Sequence, residues 1–494
     1  MSTLLAMDDI VGLPQIHTVA FTRWWRAFMH LIMCGEGSWQ KGASINLHVS
    51  DLGSSGDAVG RFLGRVVFVR NGVPGDRLAV RLIQVKKNLA QGRLEKVLEA
   101  SSNRVVPPCP VADKCGGCQW QCVDYSLQLE IKRNQVVQAI SRIGKLSNVD
   151  VKTALPSEPF GYRNKVSYPF SRSALNGACM GYYEKGTHDV VDIEHCPVQD
   201  VRLDPVLATV KRDMLESGWP IYDGKKHKGD IRHLSLRIGH HTGQILLTIV
   251  STKRRLPGIK QLAQSWMADH PNIVGVCINI NSRKTKEIFG SETFVVRGQP
   301  FLVEKFMELD LRLASTTFFQ VNTVQAERVV GMIIEELDLR GDEVLLDAYC
   351  GIGTIALPLA SRLPEGQVLG VEIMEESIEQ ATTNARENSI NNVNFEVGRV
   401  ETVLPRLIRG GGFNPEVVII DPPRKGCDAA VLDCLLEAGP DRIVYVSCNP
   451  ATLARDLQVL CGVQGSYDVQ KIVPADFFPQ TSHVETVAFL KQRN

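Results

Sequence analysis

The chain has 494 residues, too long for one hydrophobic core, so two to four domains are expected. Hydrophobic residues make up 44%, and no run approaches the roughly 18 apolar residues of a helical membrane span, which argues against a membrane protein. A net charge of +1 excludes a uniformly basic nucleic-acid coat but not a local patch, and 13 cysteines, an odd number with four close together, suit a cytoplasmic chain rather than a secreted disulfide framework.

Residues 1–42 fit nothing downstream. The run Phe21–Cys34 looks faintly like a signal peptide, but its apolar core is interrupted and Asp8 and Asp9 stand where positive charge belongs. The segment reads as an extension or a mis-assigned start, with Met33 the alternative initiator. From residue 43 to about 104 short strands such as Val66–Val69 and Leu78–Val85 are punctuated by Gly60, Gly64, Asn71-Gly72 and Pro74-Gly75, the texture of a small β-barrel. Between Lys41 and Arg104 stand 11 Lys or Arg against 5 Asp or Glu, a footprint that suits a phosphate backbone. The stretch resembles the TRAM domain, an OB-like RNA-binding barrel.

Next come Cys109, Cys115, Cys118 and Cys122, with Gly116 and Gly117 letting the backbone wrap. Three sulfurs within ten residues point to a metal or iron–sulfur site. Zinc would want a second paired motif, which is missing. Cys122 competes for the fourth position, but Cys196 is the better candidate because Cys196-Pro197 repeats the local chemistry of Cys109-Pro110. Leu127, Ile131, Val136 and Ile140 predict an amphipathic helix over 125–143. Tyr162-Arg163-Asn164-Lys165 sets two cations beside a ring, which suits a phosphate and a stacked base, although such a group is more often an exposed charged turn. Strand-like runs at Ser235–Ile238, Gln244–Val250 and Ile273–Asn279 complete a middle α/β domain over 105–310.

Residues 311–494 read as a doubly wound, Rossmann-like domain. Val344–Asp347 is a buried strand, Tyr349-Cys350-Gly351-Ile352-Gly353 a glycine-rich turn, and Val368–Glu372 a second strand ending in an acid. That is the pattern for a nucleotide sugar: glycines for close approach, a carboxylate for ribose hydroxyls. Only one Gly-x-Gly is present, so the phosphate-gripping third glycine is missing, which favours S-adenosylmethionine over a dinucleotide. Asp421 stands at the tip of a further strand, Glu416–Ile420. Arg442–Val446 is another, broken by Ser447-Cys448-Asn449-Pro450, which puts Cys448 on a loop at the carboxyl end of a parallel strand, where open α/β sheets bind ligands. A lone cysteine is usually an inert core residue; position after a strand, and a candidate base at Glu485, reverse that reading.

Together these motifs, D-x-x-C-G-x-G, D-P-P-R, S-C-N-P and F-F-Q-V-N, resemble the uracil-5 RNA methyltransferases over about residues 43–494. The Cys-x5-Cys-Gly-Gly-Cys run and the TRAM-like barrel are similar to the subgroup carrying a [4Fe-4S] cluster. The resemblance implies Cys109, Cys115, Cys118 and Cys196 as cluster ligands, and Gln320, Tyr349, Gly351, Gly353, Glu372 and Asp421 as positions holding S-adenosylmethionine. It implies Cys448 as nucleophile and Glu485 as base. The expected substrate is a uridine in 23S rRNA, with the tRNA T-loop as alternative; no obligate protein partner is evident. Two departures are Thr354, where bacterial relatives often carry Asn, and Lys286, where Asn is usual.

Three rival readings are weaker. Exocyclic-amine methyltransferases place an aromatic residue after Asp-Pro-Pro, and here it is Arg424. A radical methylthiotransferase would need a Cys-x3-Cys-x2-Cys triplet. A non-catalytic RNA-binding protein or chaperone would have no use for Cys448 with Glu485.

Overall fold

A computed structural model describes residues 38–173, 177–410 and 412–493. The expectation for residues 1–42 therefore falls outside the described residues, except at 38–42. The chain divides into two compact units, one reaching to Gly53 and resuming over Asp57–Arg104, the other made of Ser54–Gly56 and the chain from Val105 onward.

In the first unit β1 (Ser44–Leu52), β2 (Ala58–Phe62), β3 (Arg65–Val69), β4 (Arg77–Val85) and β5 (Leu89–Glu99) close a barrel in the order β1-β2-β3-β5-β4. The two-residue period of β1 buries Ile45, Leu47 and Val49 and leaves Ser44, Asn46 and His48 outside. Gly60 is required where β2 crosses β1, because a Cβ there would lie 2.4 Å from the His48 carbonyl oxygen. Closure leaves no unpaired sheet edge. Buried Asp76 accepts the Val73 and Ser101 N–H groups at 2.7 and 2.9 Å and pairs with Arg104 at 2.6 Å, pinning the end of the barrel.

The second unit carries two large sheets. β6 (Lys165–Ser173), β7 (Gly177–Tyr183), β8 (Val190–Asp192), β9 (Ile231–Ile238), β10 (Ile245–Ser251), β11 (Ile273–Ile280) and β12 (Glu292–Gly298) run in the order β12-β11-β10-β9-β6-β7-β8. Helices Leu203–Glu216 and Ile259–Asp269 share one core with Leu234, Leu236, Leu247 and Ile249 of this sheet. A hairpin of β13 (Phe301–Phe306) and β14 (Leu309–Ala314) follows. Its Leu302, Phe306, Leu311 and Leu313 pack in a common core with Val329, Val330 and Ile333 of helix Thr323–Leu337.

β15 (Val344–Ala348), β16 (Gln367–Glu372), β17 (Val393–Val397), β18 (Val417–Ile420), β19 (Arg442–Ser447), β20 (Tyr467–Ala475) and β21 (Glu485–Gln492) form the other sheet, in the order β17-β16-β15-β18-β19-β21-β20. Successive residues feed opposite cores: Leu345, Ile419 and Val444 go to one face, Leu346, Ile420 and Tyr445 to the other. Helices on both faces explain why these strands read as continuous apolar runs. This is the doubly wound sheet expected from the sequence, with one addition: β21 enters antiparallel between β19 and β20.

Helix Tyr125–Arg142 starts at Asp124, whose carboxylate accepts the Ser126 N–H at 2.9 Å. It lies early in the chain, yet its Val136, Ala139 and Ile140 pack in the core with Tyr445, Leu457 and Ile472. Val151 and Leu155 then bridge to Ile472 and Ala475 of β20. Among the described residues no helix is long and apolar enough to cross a membrane.

Candidate active site

The strand order reverses between β15 and β18, and loops from neighbouring strands part there. The chain leaving β15 is bent by Tyr349 at φ 69°, Gly351 at φ 56° and Gly353 at φ 85°. A left-handed tyrosine is costly for an L-residue, and such strain gathers at functional sites. Gly351 has open space where a side chain would be, whereas a Cβ at Gly353 would meet Leu357 Cγ at 2.9 Å. The first glycine thus keeps a face bare, and the second allows the turn to close on the helix behind it. Glu372, at the tip of β16, accepts the Gly351 N–H at 3.2 Å and the Met374 N–H at 3.0 Å, so it props the turn from beside it.

A cleft opens above this turn, lined among others by Phe318, Gln320, Asp347, Tyr349, Gly351 and Asp421. Gln320 is placed by the residue just before β6: Asn164 Nδ2 donates to its carbonyl at 3.0 Å, and Asn322 then caps helix Thr323–Leu337 by accepting the Gln325 N–H at 3.2 Å. Of the six positions expected to hold the cofactor, Gln320, Tyr349, Gly351 and Asp421 line the cleft; Gly353 and Glu372 shape it from behind. Asp347 was not singled out from the sequence, although it opens the D-x-x-C-G-x-G motif. It is 1% exposed, and neither carboxylate oxygen makes a hydrogen bond of full geometry, although the Ala356 N–H faces it. Burial, then Asp421 and Glu372, push its carboxyl up to about 8, partly offset by the Ala356 N–H. A buried acid on a cleft with no cation beside it fits a cationic ligand.

Cys448 follows β19, and Asn449 caps the helix Pro450–Cys461 by accepting the Ala451 N–H at 3.1 Å. The amide Nδ2 of Asn449 donates to the Arg424 carbonyl at 3.1 Å, tying this loop to the one after β18. Because Ser447 pairs with Thr486, Cys448 and Glu485 are neighbours across β19 and β21. Burial, then Glu485 and Asp421, push the Cys448 thiol up to about 11, and Arg424 opposes them. Burial and Asp421 push the Glu485 carboxyl up to about 8, again opposed by Arg424. Burial alone pushes Asp421 up to about 7. Arg424 is thus a cation that faces both groups, a role that sequence reasoning did not assign to the arginine of the D-P-P-R motif.

Cys109, Cys115, Cys118 and Cys196 come together although Cys196 lies far along the chain. Their charges act on one another: Cys109 on Cys115, both on Cys118, and Cys109 and Cys118 on Cys196. Burial foremost pushes Cys118 up to about 11 and Cys196 up to about 12. Gly116 passes so near β7 that a Cβ would lie 2.7 Å from the Tyr183 carbonyl oxygen. Among the described residues no three His, Cys, Asp or Glu side chains converge as ligands of a single metal ion do. Arg163 faces Cys118 and Cys196.

The reading of Tyr162–Lys165 as a phosphate and base contact is corrected. Tyr162 is buried with its hydroxyl donating to the Pro479 carbonyl at 3.0 Å, so its ring is no stacking platform. Lys165 Nζ turns inward to the Ser315 carbonyl at 3.0 Å, where burial, Arg237 and Arg163 push its ammonium down to about 6.

With this geometry in hand, residues 238–493 match the family model described as tRNA (Uracil-5-)-methyltransferase, and residues 38–94 match the TRAM domain. An uncharacterized RNA methyltransferase of Nostoc sp. is 52% identical over 92% of this chain and 98% of its own length. Another, of Synechocystis sp., is 46% identical over 92% and 97%. The crystal structure of Pyrococcus abyssi tRNA (uracil-54, C5)-methyltransferase in complex with S-adenosyl-L-homocysteine is 29% identical, with a TM-score of 0.72, over 90% of this chain and 99% of that one.

Proposed function

This chain belongs to the tRNA (uracil-5-)-methyltransferase family of S-adenosylmethionine-dependent RNA methyltransferases, and we propose that it methylates carbon 5 of an RNA uridine through a covalent bond to Cys448. The observation that carries the proposal is the meeting of Cys448 and Glu485 across β19 and β21, at the carboxyl edge where the cleft opens.

When bound in the cleft, S-adenosylmethionine supplies an electrophilic methyl group. Gln320, Tyr349, Gly351 and Asp421 line the place for it, Gly353 and Glu372 hold the turn, and Asp347 provides a countercharge for its cationic end. Carbon 5 of uracil is a poor nucleophile. The Cys448 thiolate adds to carbon 6, and the displaced electron pair makes carbon 5 an enolate carbon able to take the methyl group. Glu485 then removes the carbon 5 proton, the C–H electrons restore the C5–C6 double bond, and the Cys448–C6 bond breaks to regenerate thiolate. Arg424 favours the charged forms of both groups. The target base must first leave its stack, at a cost of a few kcal/mol that the barrel's binding to the RNA backbone would offset.

The four cysteines fit a [4Fe-4S] cluster better than a single ion. Cys109, Cys115 and Cys118 act on one another, Cys109 and Cys118 act on Cys196, and Arg163 offers charge to balance an anionic cluster. Anaerobically purified protein should carry about four irons per chain; stoichiometric zinc would rule the cluster out.

The barrel and the cysteine set favour a uridine of 23S rRNA as substrate, while likeness to the Pyrococcus tRNA enzyme over nine-tenths of the chain favours a tRNA uridine as the second reading. Mapping 5-methyluridine in rRNA and tRNA of a deletion strain decides between them. Glu485→Gln should trap a methylated RNA–protein adduct that survives denaturing electrophoresis, and Cys448→Ala should form none. Methylation by Cys448→Ala would refute the covalent route.

A further inference from the structure

The segment between β20 and β21, which delivers Glu485, is held by the stretch that follows the cysteine run. At its centre Gln480 sits in the left-handed region at φ 70°. Its carbonyl accepts the Gln119 N–H at 2.9 Å and the Trp120 N–H at 3.0 Å, the two residues directly after Cys118. Its own N–H donates to Gln128 Oε1 at 3.0 Å, while Gln128 Nε2 donates to Gln480 Oε1 at 3.0 Å. Gln128 Nε2 is also within reach of the Trp120 and Val123 carbonyls at 3.2 and 2.9 Å, and Gln480 Nε2 donates to the Pro159 carbonyl at 3.3 Å. Gln128 and Trp120 are fully buried and Gln480 is 3% exposed.

Such a reciprocal amide pair is unusual in a core that apolar residues could fill, because every polar atom must be matched or destabilise the fold. The pair has an evident geometric consequence. It fixes the path of the Cys118–Val123 backbone relative to the segment running into Glu485.

We propose that Gln128 and Gln480 are positioning residues that couple the order of the cysteine loop to the placement of Glu485, so that ligation at the cysteines sets the rate of proton removal from carbon 5 and leaves methyl transfer unaffected. This rests on the readings of Glu485 as the base and of Cys109, Cys115, Cys118 and Cys196 as cluster ligands; iron content measured on the same preparations separates failure of the second reading from failure of the coupling. A disordered cysteine loop would withdraw the Gln119 and Trp120 N–H groups from Gln480 and loosen the chain that runs into Glu485, the first residue of β21, which is paired on this side with Ala475 alone, so the carboxylate would lose its fixed approach.

The test separates the two half-reactions in full-length, iron-loaded protein, using radiolabelled methyl donor and a uridine-containing RNA substrate in single turnover. Gln128→Met keeps the volume and removes the amide; Gln480→Asn tolerates the left-handed backbone and shortens the amide, so at least one variant should fold. In both, methylated adduct should form within about twofold of the wild-type rate and resolve at least tenfold more slowly. Independently of activity, hydrogen exchange over residues 476–484 should quicken in Cys118→Ser and in both glutamine variants. Equal slowing of formation and resolution, unchanged resolution, or unchanged exchange in Cys118→Ser would overturn the coupling. Glu485→Gln run alongside distinguishes the failures: if it resolves its adduct at the wild-type rate, the base assignment falls and the coupling falls with it.

Discussion

Ser447 on β19 faces Thr486 on β21 in the antiparallel ladder, so Cys448 and Glu485, each one residue farther toward the cleft, stand beside each other. The proposed nucleophile and base thus come from the ends of strands that are adjacent in space and separated in sequence by a helix and another strand. The acid is held up to about 8 by burial and Asp421, which makes it largely protonated at neutral pH in the free protein.

That shift sets a pH dependence. In the proposed adduct Cys448 is already alkylated, so resolution should titrate the Glu485 carboxyl, which must be ionised to act as the proposed base. Resolution should rise about tenfold per pH unit below 8 and level off above it. Arg424→Met, which removes the opposing cation, should move the midpoint upward; single-turnover decay of the adduct between pH 6 and 9.5 measures both.

Asp347 gives a stability effect of definite sign. An unfolded aspartate ionises near 4, whereas the folded carboxyl is pushed up to about 8. Folding therefore favours the protonated acid. Its stabilising contribution is complete below about pH 4 and is lost as pH rises towards 8. Asp347→Asn should stabilise the ligand-free protein by up to about 5 kcal/mol at pH 8, leave it unchanged at pH 4, and weaken S-adenosylmethionine binding. Calorimetry at both pH values, with and without ligand, checks all three.

Lys132 and Asp476 form an ion pair at 2.6 Å with both side chains fully buried. Lys132 Nζ also donates to the Phe478 carbonyl at 3.1 Å. Lys132→Met leaves a buried acid without its partner and should cost about 3–5 kcal/mol in denaturant unfolding. Lys132→Met with Asp476→Leu should recover most of that, because an apolar pair avoids the desolvation of two ions.

The barrel's charge predicts a salt effect. Lys86, Lys87 and Lys96 are exposed on it. Changing each to Gln should flatten the slope of log affinity for RNA against log salt by about 0.7–0.9 for each phosphate that is no longer neutralised. S-adenosylhomocysteine affinity should not change; titration calorimetry from 50 to 300 mM salt reads both.

Local features were legible in the sequence. The apolar runs of β15, β18 and β19, the turn from Tyr349 to Gly353, and the Asn–Pro start of the helix after Cys448 each follow from steric and hydrogen-bonding preferences within a few residues. Those preferences act on the chain wherever it folds, so they leave a mark in composition and spacing. The entry of β21 between β19 and β20, the packing of helix Tyr125–Arg142 on the C-terminal sheet, and the pairing of Gln128 with Gln480 leave no such mark. Each joins residues far apart in the chain, and its energy belongs to the pair rather than to either partner. Tyr162 and Lys165 illustrate the difference: their residue types suit a bound RNA, but tertiary packing turned the hydroxyl to Pro479 and the ammonium to Ser315, because buried polar groups must find partners where the fold provides them.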